Sequence, residues 1–344
     1  MAMTRRQFLA GALAMAAVSA GPAVPSPTRK CRPLIAGPLW WYSTAQSARW
    51  ELPGWTDELD QQAALGFNLL WIPNAPAAFT ARHDLALLAA LLDLCAKRKV
   101  KVILGTGASK AWYQELNLWK ELAMCGRNIA KIGDRFKGHP AFCAWYLPHE
   151  IYMFWGKADT YIHRLYAGLV ERCKRAASLP VTLSPFFILD RDKVYGDFRF
   201  NEPDDYARYW AGLIRKSRLD IVMLQDSGEH FSYVTNDQRR PFFQAMAEAC
   251  RAGGAKFWAN VETAEFECPS KEEFVRRYGR VHHSTVKDAP WRPVPIGRLR
   301  DKLDLASEYC ENIVTWGYQH FCRPALGEAA QKWYADYQSY YLGR

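Results

Sequence analysis

Lys256-Phe-Trp-Ala-Asn-Val-Glu262 is a short apolar run that ends on a carboxylate. The same kind of run recurs through the chain at 34–41, 67–73, 100–105, 142–147, 180–185, 220–225 and 312–316. Between the runs lie amphipathic patterns with helical spacing, at 56–65, 84–97, 118–136, 160–177, 204–216, 239–252, 299–309 and 327–340. Alternating strands and helices imply parallel strands joined by right-handed crossovers. Eight such units predict a single (β/α)8 TIM barrel. A doubly wound sheet is the alternative, but no glycine-rich phosphate turn follows the first strand.

Side chains alternate faces along a strand, and the outer face of a barrel strand packs on helices and must be apolar. Phe257, Ala259 and Val261 make the apolar set of the seventh run, so Trp258, Asn260 and Glu262 are expected to point inward. Glu262 then stands at the mouth, where barrel active sites are built. Its structural alternative is an internal salt bridge. Glu150 closes Ala141-Phe-Cys-Ala-Trp-Tyr-Leu-Pro-His-Glu150 in a similar way. Both faces of that run are apolar and Pro148 interrupts the pleat, so either His149 or Glu150 could face the site. A carboxylate at the end of a buried strand is costly unless it is paired, bound or used. Two of them suggest a paired-carboxylate site, with Glu150 as the acid and His149 as its neighbour or a substrate ligand.

Further candidates sit beyond the other strands. Asp226 could orient a substrate hydroxyl, or it could cap the Asp-Ser-Gly turn that it begins. Asn260, Asn74 and Tyr318 are polar groups placed to bind substrate. Trp40, Trp41, Trp71, Trp155 and Trp316 fall at or just past strand ends, where indole faces could stack on sugar rings. Some of them will instead fill the barrel and its helix interface. Two long connections, 187–202 and 263–295, follow strands and are expected to build the cleft.

The ends and the composition bound the rest. Arg5-Arg6 precedes an apolar run from Phe8 to Ala20, with Val18-Ser19-Ala20 as a cleavage site. This reads as a twin-arginine export signal plus linker over 1–30, leaving 31–344 as the barrel domain in the periplasm or outside the cell. The run is too short for a stable membrane span. A formal charge of +10, or +8 once Arg5 and Arg6 leave with the signal, suits an anionic partner such as acidic polysaccharide. No nucleic-acid motif occurs. The nine cysteines are scattered without a C-x-x-C, and a disulfide involving Cys268 or Cys322 is conceivable after export. Nothing implies a cofactor. A metal-dependent hydrolase would have to use His149, His230, His282, His283 or His320, whose spacing matches no ligand motif.

Trp145-Tyr-Leu-Pro-His-Glu150, Asp220-Ile-Val-Met-Leu-Gln-Asp226 and Phe257-Trp-Ala-Asn-Val-Glu262 together resemble the signature strands of a bacterial family, domain of unknown function 4434. That family is grouped with glycoside-hydrolase-like TIM barrels. The resemblance covers most of the chain beyond the signal and implies a retaining glycosidase. It places the acid/base at Glu150 and the nucleophile at Glu262. Related barrels often carry Asn immediately before the strand-four Glu, to hold the sugar 2-hydroxyl, and His149 stands there instead. A non-catalytic carbohydrate-binding barrel is the alternative function.

Overall fold

The computed structural model describes residues 32–42 and 50–343, so the expected export signal lies outside the described residues. Residues Pro33–Arg344 form one unit. The chain runs β1 (Gly37–Pro38), α1 (Leu52–Ala64), β2 (Leu69–Ile72), α2 (Arg82–Lys97), β3 (Lys101–Gly105), α3 (Trp112–Glu115), α4 (Leu118–Phe136) and β4 (Phe142–Leu147). It continues through α5 (Gly156–Ala176), β5 (Val181–Leu183), α6 (Pro203–Ser217), β6 (Ile221–Gln225), α7 (Asn236–Gly253) and β7 (Lys256–Asn260). The last part is β8 (Ala264–Phe266), α8 (Lys271–Tyr278), β9 (Trp291–Pro293), α9 (Ile296–Ser307), β10 (Asn312–Thr315) and α10 (Glu328–Leu342).

Eight strands form one parallel sheet in the order β1-β10-β7-β6-β5-β4-β3-β2. A parallel bridge between Leu39 and Trp71 joins the first strand to the second and brings the sheet round into a (β/α)8 barrel. Gly37 sits at that seam, where a Cβ would overlap the Leu69 carbonyl oxygen, so only glycine lets the strands meet.

Strand alternation sorts the core into two layers. Leu39, Leu69, Trp71, Ile103, Ala144, Tyr146, Ile221, Met223 and Val314 fill the barrel, with Trp258 and Trp316 packed against them. The opposite set, including Leu70, Leu104, Trp145, Val222 and Ala259, packs outward on the helices. Helix ends follow local chemistry. Asn117 accepts a hydrogen bond from the Lys120 N–H at the start of α4, and Thr235 with Gln238 forms a capping box on α7.

One element lies outside the expected rhythm. Residues 263–295, read from sequence as a loop with a short helix, also contain the antiparallel pair β8–β9. That ribbon, α8 and parts of the connections after β5 and β6 share a second apolar cluster, which includes Tyr195, Phe231, Phe266 and Phe274. The long connections are thus fixed to one another, with a core of their own. Among the described residues, no helix is long and apolar enough to cross a membrane, and each cysteine is a free thiol.

Candidate active site

Beyond β4, Glu150 keeps the inward parity of Ala144 and Tyr146 despite Pro148. Its carboxylate accepts hydrogen bonds from the Tyr146 hydroxyl and from Gln225 Nε2, the latter at 2.8 Å. Gln225 closes β6 and also donates to the Ser184 carbonyl at 3.0 Å. Burial pushes the Glu150 pKa up, and the nearby Glu262 charge adds to this; the two donors and His230 pull it back only in part.

Glu262, two residues past Asn260 on the inward face, is 2% exposed. Its Oε2 lies 2.5 Å from His230 Nδ1. Burial raises the Glu262 pKa, with His230 and Lys302 pulling against it and Asp226 adding to it. Burial alone would lower His230, but the Glu262 and Asp226 charges reverse the shift and leave it raised. The imidazole is stacked on Trp316 (ring centroids 5.4 Å, 28°) and meets His283 edge-on at 5.2 Å.

Behind Glu262 lies a buried charge cluster. Lys302 Nζ, from α9, sits 2.8 Å from Asp226 Oδ2 and donates to the Glu262 carbonyl oxygen at 2.7 Å. Arg239, from α7, donates to the Asp226 carbonyl at 2.8 Å. Burial raises the Asp226 pKa, but Lys302 and Arg239 outweigh it and leave it lowered. Asp226 is 1% exposed and engaged from the helix side. Its Oδ2 faces Lys302 and Arg239, and its Oδ1 has no hydrogen-bond partner.

Other sequence candidates divide. His149 is fully buried with outward parity. Its Nε2 lies 2.8 Å from Glu121 on α4, and its carbonyl accepts from the Tyr166 hydroxyl. It braces the strand exit from behind. Trp40 also points outward, 5.5 Å from Trp55, with Arg323 over its ring. Tyr318 follows Gly317, whose φ of 99° breaks the pleat, and it packs on Phe67 and Trp333. Neither reaches the mouth. Trp71 is inside the barrel, fully buried and edge-on to Tyr146 at 4.6 Å.

Trp41 is 37% exposed and, with Asn74 and Pro148, lines a cavity of about 340 Å³ beside the ends of β2 to β4. The Asn74 amide is spent on the Tyr42 backbone, accepting from its N–H at 2.7 Å and donating to its carbonyl. Trp155 is half-buried, with the Arg199 guanidinium 4.6 Å above its ring. Trp316 and Asn260 remain at the carboxylates. The sequence offers His230 only as a metal ligand, and its contact with Glu262 has no counterpart in strand periodicity. The loop position just after Asp226 was the only signal.

Glu121, Cys125 and His149 offer oxygen, sulfur and nitrogen ligand atoms within 4.8 Å of one another. Those atoms are already used. Glu121 accepts from the Ser109 N–H and hydroxyl as well as facing His149, and the Cys125 thiol faces the Gly107 carbonyl at 3.2 Å. These contacts hold the Glu121 pKa down to about 2 against the pull of burial. The trio lies behind β4, away from the carboxylate pair.

A family model described as domain of unknown function DUF4434 matches residues 35–327. No curated protein sequence matches the chain. Among solved structures, a Bacteroides thetaiotaomicron protein put forward as an α-L-fucosidase superposes with a TM-score of 0.69 at 17% identity, over 94% of this chain and 99% of that one. An endo-β-1,4-mannanase from Thermotoga petrophila gives 0.54 at 9% identity, over 90% and 77%. A β-glucanase from Saccharophagus degradans gives 0.52 at 10% identity, over 91% and 88%. At such identities the likeness is one of fold.

Proposed function

The chain belongs to the DUF4434 family and is a glycoside-hydrolase-like (β/α)8 barrel; on that premise we propose that it is a retaining glycoside hydrolase, with Glu150 as acid/base and Glu262 as nucleophile. One observation carries the reading. Two carboxylates at the ends of β4 and β7 sit in unlike surroundings, Glu150 among neutral donors and Glu262 against an imidazole backed by a buried lysine. Environments that separate two carboxyl groups in this way assign one the acid role and the other the anion role. The mannanase and glucanase with the same fold support a glycosidic substrate.

Protonated Glu150 gives its proton to the glycosidic oxygen while ionised Glu262 attacks the anomeric carbon. The glycosidic bond breaks, and a glycosyl ester forms on Glu262. Glu150, now a carboxylate, takes a proton from water as that water attacks the anomeric carbon and displaces the Glu262 carboxylate. This frees the sugar and restores both groups. His230 stays beside the Glu262 carboxylate throughout. It steadies the Glu262 anion before attack and again as the carboxylate leaves.

The substrate is a poly- or oligosaccharide, with acidic polymers included because of the chain's positive charge. The enzyme works outside the cytoplasm after twin-arginine export. Proton NMR of the first-formed product tests the mechanism. Retained anomeric configuration is expected, and inversion would replace the nucleophile by a base acting through water. A second reading, carbohydrate binding without turnover, draws on the 2% exposure of Glu262 beneath His230.

A further inference from the structure

Under the carboxylates, three strand ends present linked polar side chains. Ser184 follows β5, Gln225 closes β6 and Asn260 closes β7. Gln225 and Asn260 are register partners on adjacent strands. Gln225 Nε2 is committed to Glu150 and to the Ser184 carbonyl, at 2.8 and 3.0 Å. The Ser184 hydroxyl donates its only proton to the Met223 carbonyl at 2.7 Å. Ser184 Oγ must therefore accept from Asn260, whose Nδ2 lies 3.1 Å away.

That elimination orients the Asn260 amide. Nδ2 faces Ser184, and Oδ1 faces away. Asn260 is 2% exposed, yet Oδ1 has no hydrogen-bond partner. A buried acceptor left unpaired is destabilising, and native folds keep few of them. This one lies on the inward face, two residues before Glu262 and beside the residue that holds Glu150.

We propose that Asn260 Oδ1 is a specificity-determining acceptor for one hydroxyl of the sugar ring held between Glu150 and Glu262. The inference rests on the glycosidase reading and deepens it. The ligand class is a glycoside whose reacting ring carries a free hydroxyl donor toward β7. A ring that lacks that hydroxyl, or has it blocked, leaves Oδ1 unpaired in the complex as well. Sites built to pair a substrate hydroxyl discriminate strongly against analogues without it. Ser184 acts as a positioning residue, because it fixes which end of the amide faces the sugar.

The test is a cycle between protein and substrate. Wild type and Asn260→Leu are assayed on an aryl glycoside that the wild type cleaves, and on its monodeoxy counterparts. Thermal unfolding of both proteins is recorded without ligand. For one deoxy position the wild type should lose about a hundredfold in kcat/KM. Asn260→Leu should lose a similar factor on the parent glycoside and nothing further on that deoxy analogue. Its unfolding midpoint should hold or rise, because an unpaired buried acceptor has gone.

If every deoxy penalty persists undiminished in Asn260→Leu, the inference is overturned while the glycosidase reading stands. An unchanged kcat/KM for the variant on the parent glycoside overturns it equally. If Asn260→Leu is too unstable to assay, Asn260→Asp, which keeps an acceptor oxygen, takes its place. That variant should retain the wild-type ranking of deoxy substrates, and a scrambled ranking counts against the inference. A wild type that cleaves no glycoside at all fails the functional reading, and this inference falls with it.

Discussion

His230 Nδ1 stands 2.5 Å from Glu262 Oε2, so a loop histidine after β6 closes directly on a strand-end carboxylate after β7. The contact sets an imidazole directly against the Glu262 carboxylate. His230→Phe keeps the ring that stacks on Trp316 and deletes the charge. We expect a loss of about a hundredfold in kcat/KM, the scale seen when one preorganised donor is removed. His230 lowers the Glu262 pKa, so its removal should also move the acid limb of the pH–rate profile to higher pH. A merely structural histidine would leave that limb in place.

Tyr146→Phe addresses the other carboxylate. The Tyr146 hydrogen bond pulls the Glu150 pKa down against burial. Without it, Glu150 holds its proton to higher pH, and the alkaline limb of kcat/KM should shift upward. Unchanged limbs would remove Glu150 from the acid role.

The fold was legible because apolar runs alternate with helical patterns eight times along the chain. Trp258, Asn260 and Glu262 could be turned inward from one strand alone, since Phe257, Ala259 and Val261 claimed the helix side. Around β4 the apolar residues occupy both faces, and only packing shows that Tyr146 and Glu150 share one. Trp40 and Tyr318 are candidates only by their position at or just past strand ends. Trp40 has outward parity next to inward Leu39, and Gly317 turns the chain before Tyr318. The β8–β9 pair was hidden because its strands have three residues each and enclose an insertion of 24. His230 belongs to the same class, since contacts between loops leave no period in a sequence.

Lys302→Met should destabilise the protein by about 3 kcal/mol, because it leaves Asp226 buried with a weaker countercharge. Urea denaturation checks this. Adding Asp226→Asn to Lys302→Met should recover part of the loss, and additive losses would mean that the two residues are not coupled.

Glu229 yields a pH prediction away from the chemistry. It accepts from the Leu189 and Asp190 backbone N–H groups, both at 2.8 Å, and so ties the connection after β5 to the one after β6. Burial raises its pKa to about 7. A raised folded-state pKa contributes stability that is complete below the unfolded value and fades as pH climbs through 7. The shift corresponds to on the order of 3 kcal/mol. Between pH 5 and 8 the stability of wild type should fall relative to Glu229→Gln, as followed by thermal unfolding. A constant difference across that range would contradict the assignment.

The central claim is that Glu150 and Glu262 together break a glycosidic bond. Wild type, Glu150→Gln and Glu262→Gln should be compared for reducing-sugar release on the best substrate from a panel of neutral and acidic glycans. The account predicts measurable hydrolysis by wild type and a loss of at least about a thousandfold in each variant, with folded-state spectra unchanged. Wild-type rates in either variant, or no cleavage of any glycan by the wild type, would contradict it.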